Sequence, residues 1–153
     1  MKTDFNYRKT LENAFAPERA HNDDMGFDLR TPEPFTLFSQ QIKTIDLGVS
    51  IQFNDLSYLE HPKHEWLMVG SFLKGKSGLA SRGLIVLGGV VDGGYTGPIK
   101  AVLFNAHSAQ ISFSRGDKIC QLVPILTVRG SAVEVTEVEK RDRGSSGFGS
   151  TGR

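Results

Sequence analysis

Leu47-Gly48-Val49-Ser50-Ile51-Gln52-Phe53 alternates apolar residues with small or polar ones, with a period of two. Successive side chains of a strand face opposite sides, so this spacing puts Leu47, Val49, Ile51 and Phe53 on one face of a strand. Working outward, β-like runs recur at Glu65 to Leu73 (with Trp66 and Phe72), Ile99 to Phe104, Ile111 to Phe113, Ile119 to Leu126 and Ala132 to Val138. Leu84 to Leu87 is continuous and apolar, as expected of a strand buried on both faces. Asp92-Gly93-Gly94, Arg115-Gly116-Asp117 and Arg129-Gly130 read as turns between them. The 17 glycines fit many short strands joined by tight turns. No long 3.6-residue pattern competes, and the best helix candidate is a short piece near Asp55 to Glu60. The expected class is all-β, a barrel or sandwich.

The chain has 153 residues, enough for one domain, and 39% of them are hydrophobic, enough to fill its core. The composition shifts only at the end, where Arg143 onward reads RGSSGFGSTGR. That stretch cannot build a core, so the expected organisation is a β core over 1–142 and a flexible arm over 143–153. Eighteen basic residues stand against 17 acidic ones, a net charge of +1. This argues against a broad grip on nucleic acid and leaves room for a localised anion site. One cysteine, Cys120, cannot form an intrachain disulfide, and its apolar surroundings predict a buried, inert thiol. The N-terminal MKTDFNYRKT has no apolar signal core, and no run approaches the roughly 18 apolar residues of a membrane helix. A soluble, intracellular protein is expected, with no membrane partner. His61 and His64 lie in a charged stretch and read as solvated rather than metal-bound.

Two motif matches mislead. Gly70-Ser-Phe-Leu-Lys-Gly75-Lys76-Ser77 satisfies the Walker A pattern, whose chemistry needs a strand, a phosphate loop and then a helix. Here Gly78, Gly83 and a β-like run follow instead. Arg115-Gly116-Asp117 spells an adhesion tripeptide but reads as a turn.

Chemistry gathers in five segments. They are Met25-Gly26-Phe27-Asp28-Leu29-Arg30; Gly75-Lys76-Ser77-Gly78-Leu79-Ala80; Gly89-Val90-Val91-Asp92-Gly93-Gly94-Tyr95-Thr96-Gly97; Gly116-Asp117-Lys118-Ile119-Cys120-Gln121-Leu122; and Arg143 to Gly152. Asp92 falls in a predicted hairpin beside two glycines. A carboxylate held there can orient and deprotonate a water. A backbone strand at Gly89 and Val90 can present donors and acceptors to a base edge. The glycines of the tail let backbone N–H groups approach an anion closely.

In order and spacing these segments resemble the trimeric dUTPase family, from about Ala16 to the last residue. The resemblance implies a β-clip or jelly-roll-like subunit, a homotrimer with shared active sites, and Mg2+ as cofactor. It implies hydrolysis of dUTP to dUMP and pyrophosphate, which limits uracil in DNA and supplies dUMP for dTMP synthesis. Asp92 would be the general base. Gly89 and Val90 would read uracil, and Tyr95 would pack under the deoxyribose and exclude a 2′-hydroxyl. Lys76, Ser77, Gly78 and Gln121 would bind phosphates. Asp28 would act on the metal through water. Arg143 would reach the γ-phosphate, Phe148 would stack on uracil, and Gly149, Ser150 and Thr151 would close on the γ-phosphate. One departure is Gly75-Lys76-Ser77-Gly78 where the family usually has Pro-Arg-Ser-Gly. Lysine keeps the charge but loses the bidentate fork. Some viral members are similar in carrying Gly-Lys-Ser. The related dCTP deaminases need a glutamate beside the base, and none follows Gln121 in Leu122-Val123-Pro124. A non-catalytic, nucleotide-dependent regulatory protein on the same fold is the alternative of a different class.

Overall fold

The computed structural model describes residues 5–53, 67–142 and 144. Within them lie eleven strands and one helical turn: β1 (Phe5–Lys9), β2 (Phe27–Arg30), β3 (Phe35–Leu37), β4 (Ile42–Asp46), β5 (Val49–Phe53), β6 (Leu67–Lys74), α1 (Ser77–Ala80), β7 (Leu84–Leu87), β8 (Val90–Val91), β9 (Lys100–Asn105), β10 (Ile111–Phe113) and β11 (Lys118–Val128). Every pairing among them is antiparallel. The sheets are ordered β2-β11-β6-β8, β4-β9-β7, β1-β5 and β10-β3. The result is an all-β, jelly-roll-like subunit.

Alternation explains the core. In β9 Ala101, Leu103 and Asn105 point inward while Lys100, Val102 and Phe104 do not. Leu37, Leu47, Val49, Leu84, Ile99, Leu103, Ile119 and Leu122 are essentially removed from solvent. At about 1.5–3 kcal/mol each, such side chains supply the main driving force for folding. The polar Asp28, Thr31, Ser50 and Ser71 are buried too, and so is Asn105, whose whole amide is used. Its Nδ2 donates to the carbonyls of Leu37 (3.0 Å) and Ala109 (2.9 Å), and its Oδ1 accepts from His107 N–H (2.9 Å). Cys120 is fully buried, and burial pushes its thiol pKa up to about 12. Among the described residues no helix is long and apolar enough to cross a membrane.

Several expectations need correction. The Leu47–Phe53 alternation is broken by a turn: the strand begins at Val49, and Gly48 adopts φ +69° with its N–H held by Asp46 Oδ1 (2.8 Å). Leu47 still packs inward, which is why the period continues through the turn. Leu84 to Leu87 is a strand, but only Leu84 is fully buried, and Ile85 faces outward. Ala132 to Val138 forms no strand. It finds no ladder partner among the described residues, and Val133, Val135 and Val138 are exposed. The Walker-type match dissolves even though a helical turn, α1, follows, because Gly70 to Lys74 lies inside β6, paired with β11 throughout and also with β8 at Ser71 and Phe72. Arg115-Gly116-Asp117 is a turn as expected, with Gly116 at φ +89° and Asp117 N–H bonded to the Ser114 carbonyl (3.1 Å). The helix candidate near Asp55 to Glu60, Trp66 and both histidines His61 and His64 lie outside the described residues.

Candidate active site

Two clusters of the expected residues form in one chain. The first is a charged corner where β2, β6 and β11 meet. β11 pairs with β2 so that Gln121 faces Asp28, and with β6 so that Gln121 faces Lys74. The Gln121 Nε2 donates to the Gly75 carbonyl (3.1 Å), fixing the loop that leads into α1. Gly26 leaves room for this side chain, since a Cβ there would meet Gln121 Oε1 at 2.5 Å and push it aside. Asp28 is buried, and one of its oxygens, Oδ1, pairs with the Lys76 ammonium. The other, Oδ2, pairs with Lys118 at 2.6 Å. Burial alone would raise the Asp28 pKa, but the hydrogen bonds and charges of Lys118 and Lys76 outweigh it and hold the carboxyl below its ordinary value. Two ammonium groups around one carboxylate leave a net charge of +1. Next to it α1 opens at Ser77 with no side-chain cap. The N–H groups of Ser77 and Gly78 therefore lack intrahelical acceptors, and a Cβ at Gly78 would meet nothing within 4 Å. A cationic corner with free amide donors and an exposed hydroxyl is suited to polyphosphate.

The second cluster is a groove of about 210 Å³ lined by Leu73, Gly89, Val90, Val91, Asp92, Tyr95, Pro98, Ile99 and Lys100. The hairpin expected around Asp92 is only half realised. The Asp92–Tyr95 turn closes through Tyr95 N–H to the Asp92 carbonyl (2.9 Å), but its two arms do not pair with each other. β8 pairs with β6, and β9 pairs with β4 and β7. The splayed arms leave the groove, whereas a closed ladder would fill it. Gly89 sits at φ +85° with its carbonyl accepting from Leu73 N–H (2.7 Å), and a Cβ there would strike the Leu73 oxygen at 2.7 Å. Gly93 leaves still less room, 2.1 Å to the Val69 carbonyl oxygen. Tyr95 folds back so that its hydroxyl donates to the Pro98 carbonyl (3.0 Å), over Gly97. Asp92 is exposed at the mouth of the groove.

Along β6 the groove reaches Leu73, next to the corner, but the Asp92 turn lies at its far end. Gly93 packs on Val69 near the start of β6, while Gln121 faces Lys74 at its end. Five residues of strand separate the two levels, about 16 Å at the usual rise. Arg143, Phe148, Gly149, Ser150 and Thr151 lie outside the described residues.

Sequence reading missed Lys118 and Lys100. Strand alternation puts Lys118 and Gln121, three residues apart, on opposite faces. A bulge between Lys118 and Cys120 changes the parity, so Lys118 pairs with Arg30 and shares the face of Asp28. No sequence signal announces that bulge. Lys100 was a strand lysine with nothing in its spacing to mark it as groove lining.

The sequence profile of the dUTPase family matches residues 12–152. The deoxyuridine 5'-triphosphate nucleotidohydrolase of Clostridium novyi (strain NT) is 38% identical over 149 residues, covering 94% of this chain and 95% of that protein. The Pol polyprotein of Ovine maedi visna related virus (strain South Africa) is 32% identical over 136 residues. That match covers 89% of this chain, which spans only 11% of the polyprotein. A solved variant of the Staphylococcus bacteriophage 80alpha dUTPase with dUpNHpp superposes with a TM-score of 0.83, over 99% of this chain and 100% of that one. At 23% identity that likeness concerns the fold.

Proposed function

The chain belongs to the dUTPase family, and from that premise we propose that it hydrolyses dUTP to dUMP and pyrophosphate. The observation that carries the reading is the exposed Asp92 carboxylate, set in a glycine turn at the mouth of a groove lined by Gly89, Val90 and Tyr95.

The uracil edge enters that groove against the backbone of Gly89 and Val90. Tyr95, held against Pro98, forms a wall beneath the deoxyribose that a 2′-hydroxyl would strike. Asp92 takes a proton from water as the water oxygen bonds to the α-phosphorus. The bond from that phosphorus to the bridging oxygen breaks, and its electrons leave with pyrophosphate. Lys76, the Ser77 hydroxyl and the N–H groups of Ser77 and Gly78 stabilise the departing charge. Gln121 holds their loop through the Gly75 carbonyl. Arg143, Phe148, Gly149, Ser150 and Thr151 are assigned, from the spacing of the family's arm, to the γ-phosphate and the outer face of uracil. The core over 1–142 and the arm over 143–153 keep these separate roles.

Mg2+ is the cofactor this family implies. Among the described residues no group of three or more His, Cys, Asp or Glu side chains is placed to hold a metal. Both Asp28 oxygens already accept from lysines, so Asp28 could touch a metal only through a shared water. This donor set fits magnesium that arrives on the triphosphate with most of its waters, as the ion prefers. Bound there, it would neutralise charge across the phosphates.

The distance between the Asp92 turn and the corner along β6 supports a homotrimer in which one copy's Asp92 meets another's corner. Exposed Ile42, Ile85, Val90 and Leu126 supply apolar surface for such contacts.

Pyrophosphate release from dUTP, with dTTP, dCTP and UTP in parallel and Mg2+ present, tests the function. Selective cleavage of dUTP is expected. A pure, folded assembly that cleaves none of them would sink the hydrolase and favour nucleotide-dependent binding.

A further inference from the structure

Asp28 poses a problem for any role of Lys76 on phosphate. A buried carboxylate in direct contact with an ammonium forms a neutral pair, and such a pair attracts an anion only weakly. Lys118 removes the difficulty. Its ammonium occupies the second carboxylate oxygen at 2.6 Å, so the negative charge of Asp28 is shared and the corner stays cationic. The chain spends a structural irregularity on this contact. Without the bulge at Ile119, strand parity would turn Lys118 to the other face. Both lysine side chains keep about a third of their surface exposed, 30% for Lys76 and 33% for Lys118, while the Asp28 side chain is only 9% exposed. The carboxylate is therefore the buried counter-ion and the ammonium groups are the accessible charges.

We propose that Lys118 is a positioning residue for the triphosphate: by sharing Asp28 it leaves the charge of Lys76 available to phosphate. The inference rests on the assignment of Lys76 to phosphate made above. It adds a residue that does not itself need to touch the substrate.

A double-mutant cycle tests it. Steady-state kinetics with dUTP and Mg2+, and calorimetric binding of inorganic triphosphate without Mg2+, are measured on the full-length assembly. In Lys118→Met, Asp28 is left to Lys76 alone. KM and the triphosphate dissociation constant should rise about tenfold, a typical size for coupled neighbours, while kcat changes less. Removing the carboxylate as well, in Asp28→Asn/Lys118→Met, should restore binding of triphosphate measured without Mg2+ to within about threefold of wild type, because Lys76 is no longer neutralised. KM with Mg2+ also reads the water-mediated role of Asp28, so for the double variant the triphosphate constant decides. Lys118→Arg should stay near wild type. Melting curves confirm that each variant is folded, and the double variant removes the unpaired buried charge that could unfold the single one. A double variant that binds triphosphate as weakly as Lys118→Met would overturn the proposal, since Lys118 would then be a direct ligand or a purely structural residue. An unchanged KM and triphosphate affinity in Lys118→Met would overturn it too. If the wild type binds triphosphate and the cycle behaves as described, yet dUTP is not cleaved, the hydrolase reading fails and the role of Lys118 stands.

Discussion

The charged corner and the groove are built on opposite principles. In the corner the charged and amide side chains are tied: Asp28 to two lysines, Gln121 to the Gly75 carbonyl, and the whole to three paired strands. In the groove the central carboxylate is exposed, the flanking arms are unpaired with each other, and glycines set the shape. The corner is prepared before ligand arrives. In the proposed assembly the groove offers a surface that substrate and a neighbouring copy complete. Single substitutions of the tied corner side chains should therefore cost stability and affinity together, whereas substitution of the exposed Asp92 should cost turnover alone.

The largest expected effect is at Asp92. Asp92→Asn should lower kcat by about 10²–10⁴-fold, the usual contribution of a general base. Its melting temperature should stay within about 2 °C of wild type, because exposed positions contribute little to stability. A large drop in stability would show that the groove is as interlocked as the corner.

Gly93→Ala sharpens the comparison from the structural side. Its Cβ would lie 2.1 Å from the backbone oxygen of Val69, so a strand must move. A loss of about 2–3 kcal/mol in denaturant unfolding is expected, at the upper end for single substitutions. Unchanged unfolding would mean that the turn does not pack on β6 as described.

Much of this contrast was legible in the sequence, and the rest was hidden for physical reasons. Ile111 to Phe113 and the runs around Ile99 and Ile119 show their strands because burial and alternation coincide there. β1 and β3 show little, since only Phe5 of β1 and Leu37 of β3 are buried. Ala132 to Val138 carries the alternation of a strand, but pairing depends on a partner, and the described residues supply none. In the site, Asp92, Ser77 and Gln121 stood out through their segments. Lys118 did not, because a bulge changes which face a residue occupies without changing the sequence pattern.

The acid limb of stability gives a smaller test of the corner. The folded pKa of Asp28 is held below its ordinary 3.8, so the stability it contributes is complete above that value and is lost as pH falls through the folded pKa. Asp28→Asn should be less stable than wild type at pH 7, and the difference should shrink below about pH 4. A gap that stays constant from pH 7 to pH 3 would show that the ion pairs with Lys76 and Lys118 do not form.

The smallest effect is expected at Ser71, which is 1% exposed and whose Oγ has no partner among the described residues. Because an unsatisfied buried hydroxyl costs about 1–3 kcal/mol, Ser71→Ala should be neutral or stabilising in unfolding experiments. A clear destabilisation would mean that another copy of the chain supplies the missing partner.

Subunit complementation tests the central claim, that a complete site joins the groove of one copy to the corner of another. Asp92→Asn and Lys76→Met/Ser77→Ala are each made inactive, unfolded, mixed in equal amounts and refolded together. If groove and corner come from different copies, each site draws an intact half from either variant by chance, and about a quarter of wild-type dUTP hydrolysis should return. If both halves belong to one chain, every site stays defective, and a mixture no more active than its two components would contradict the account.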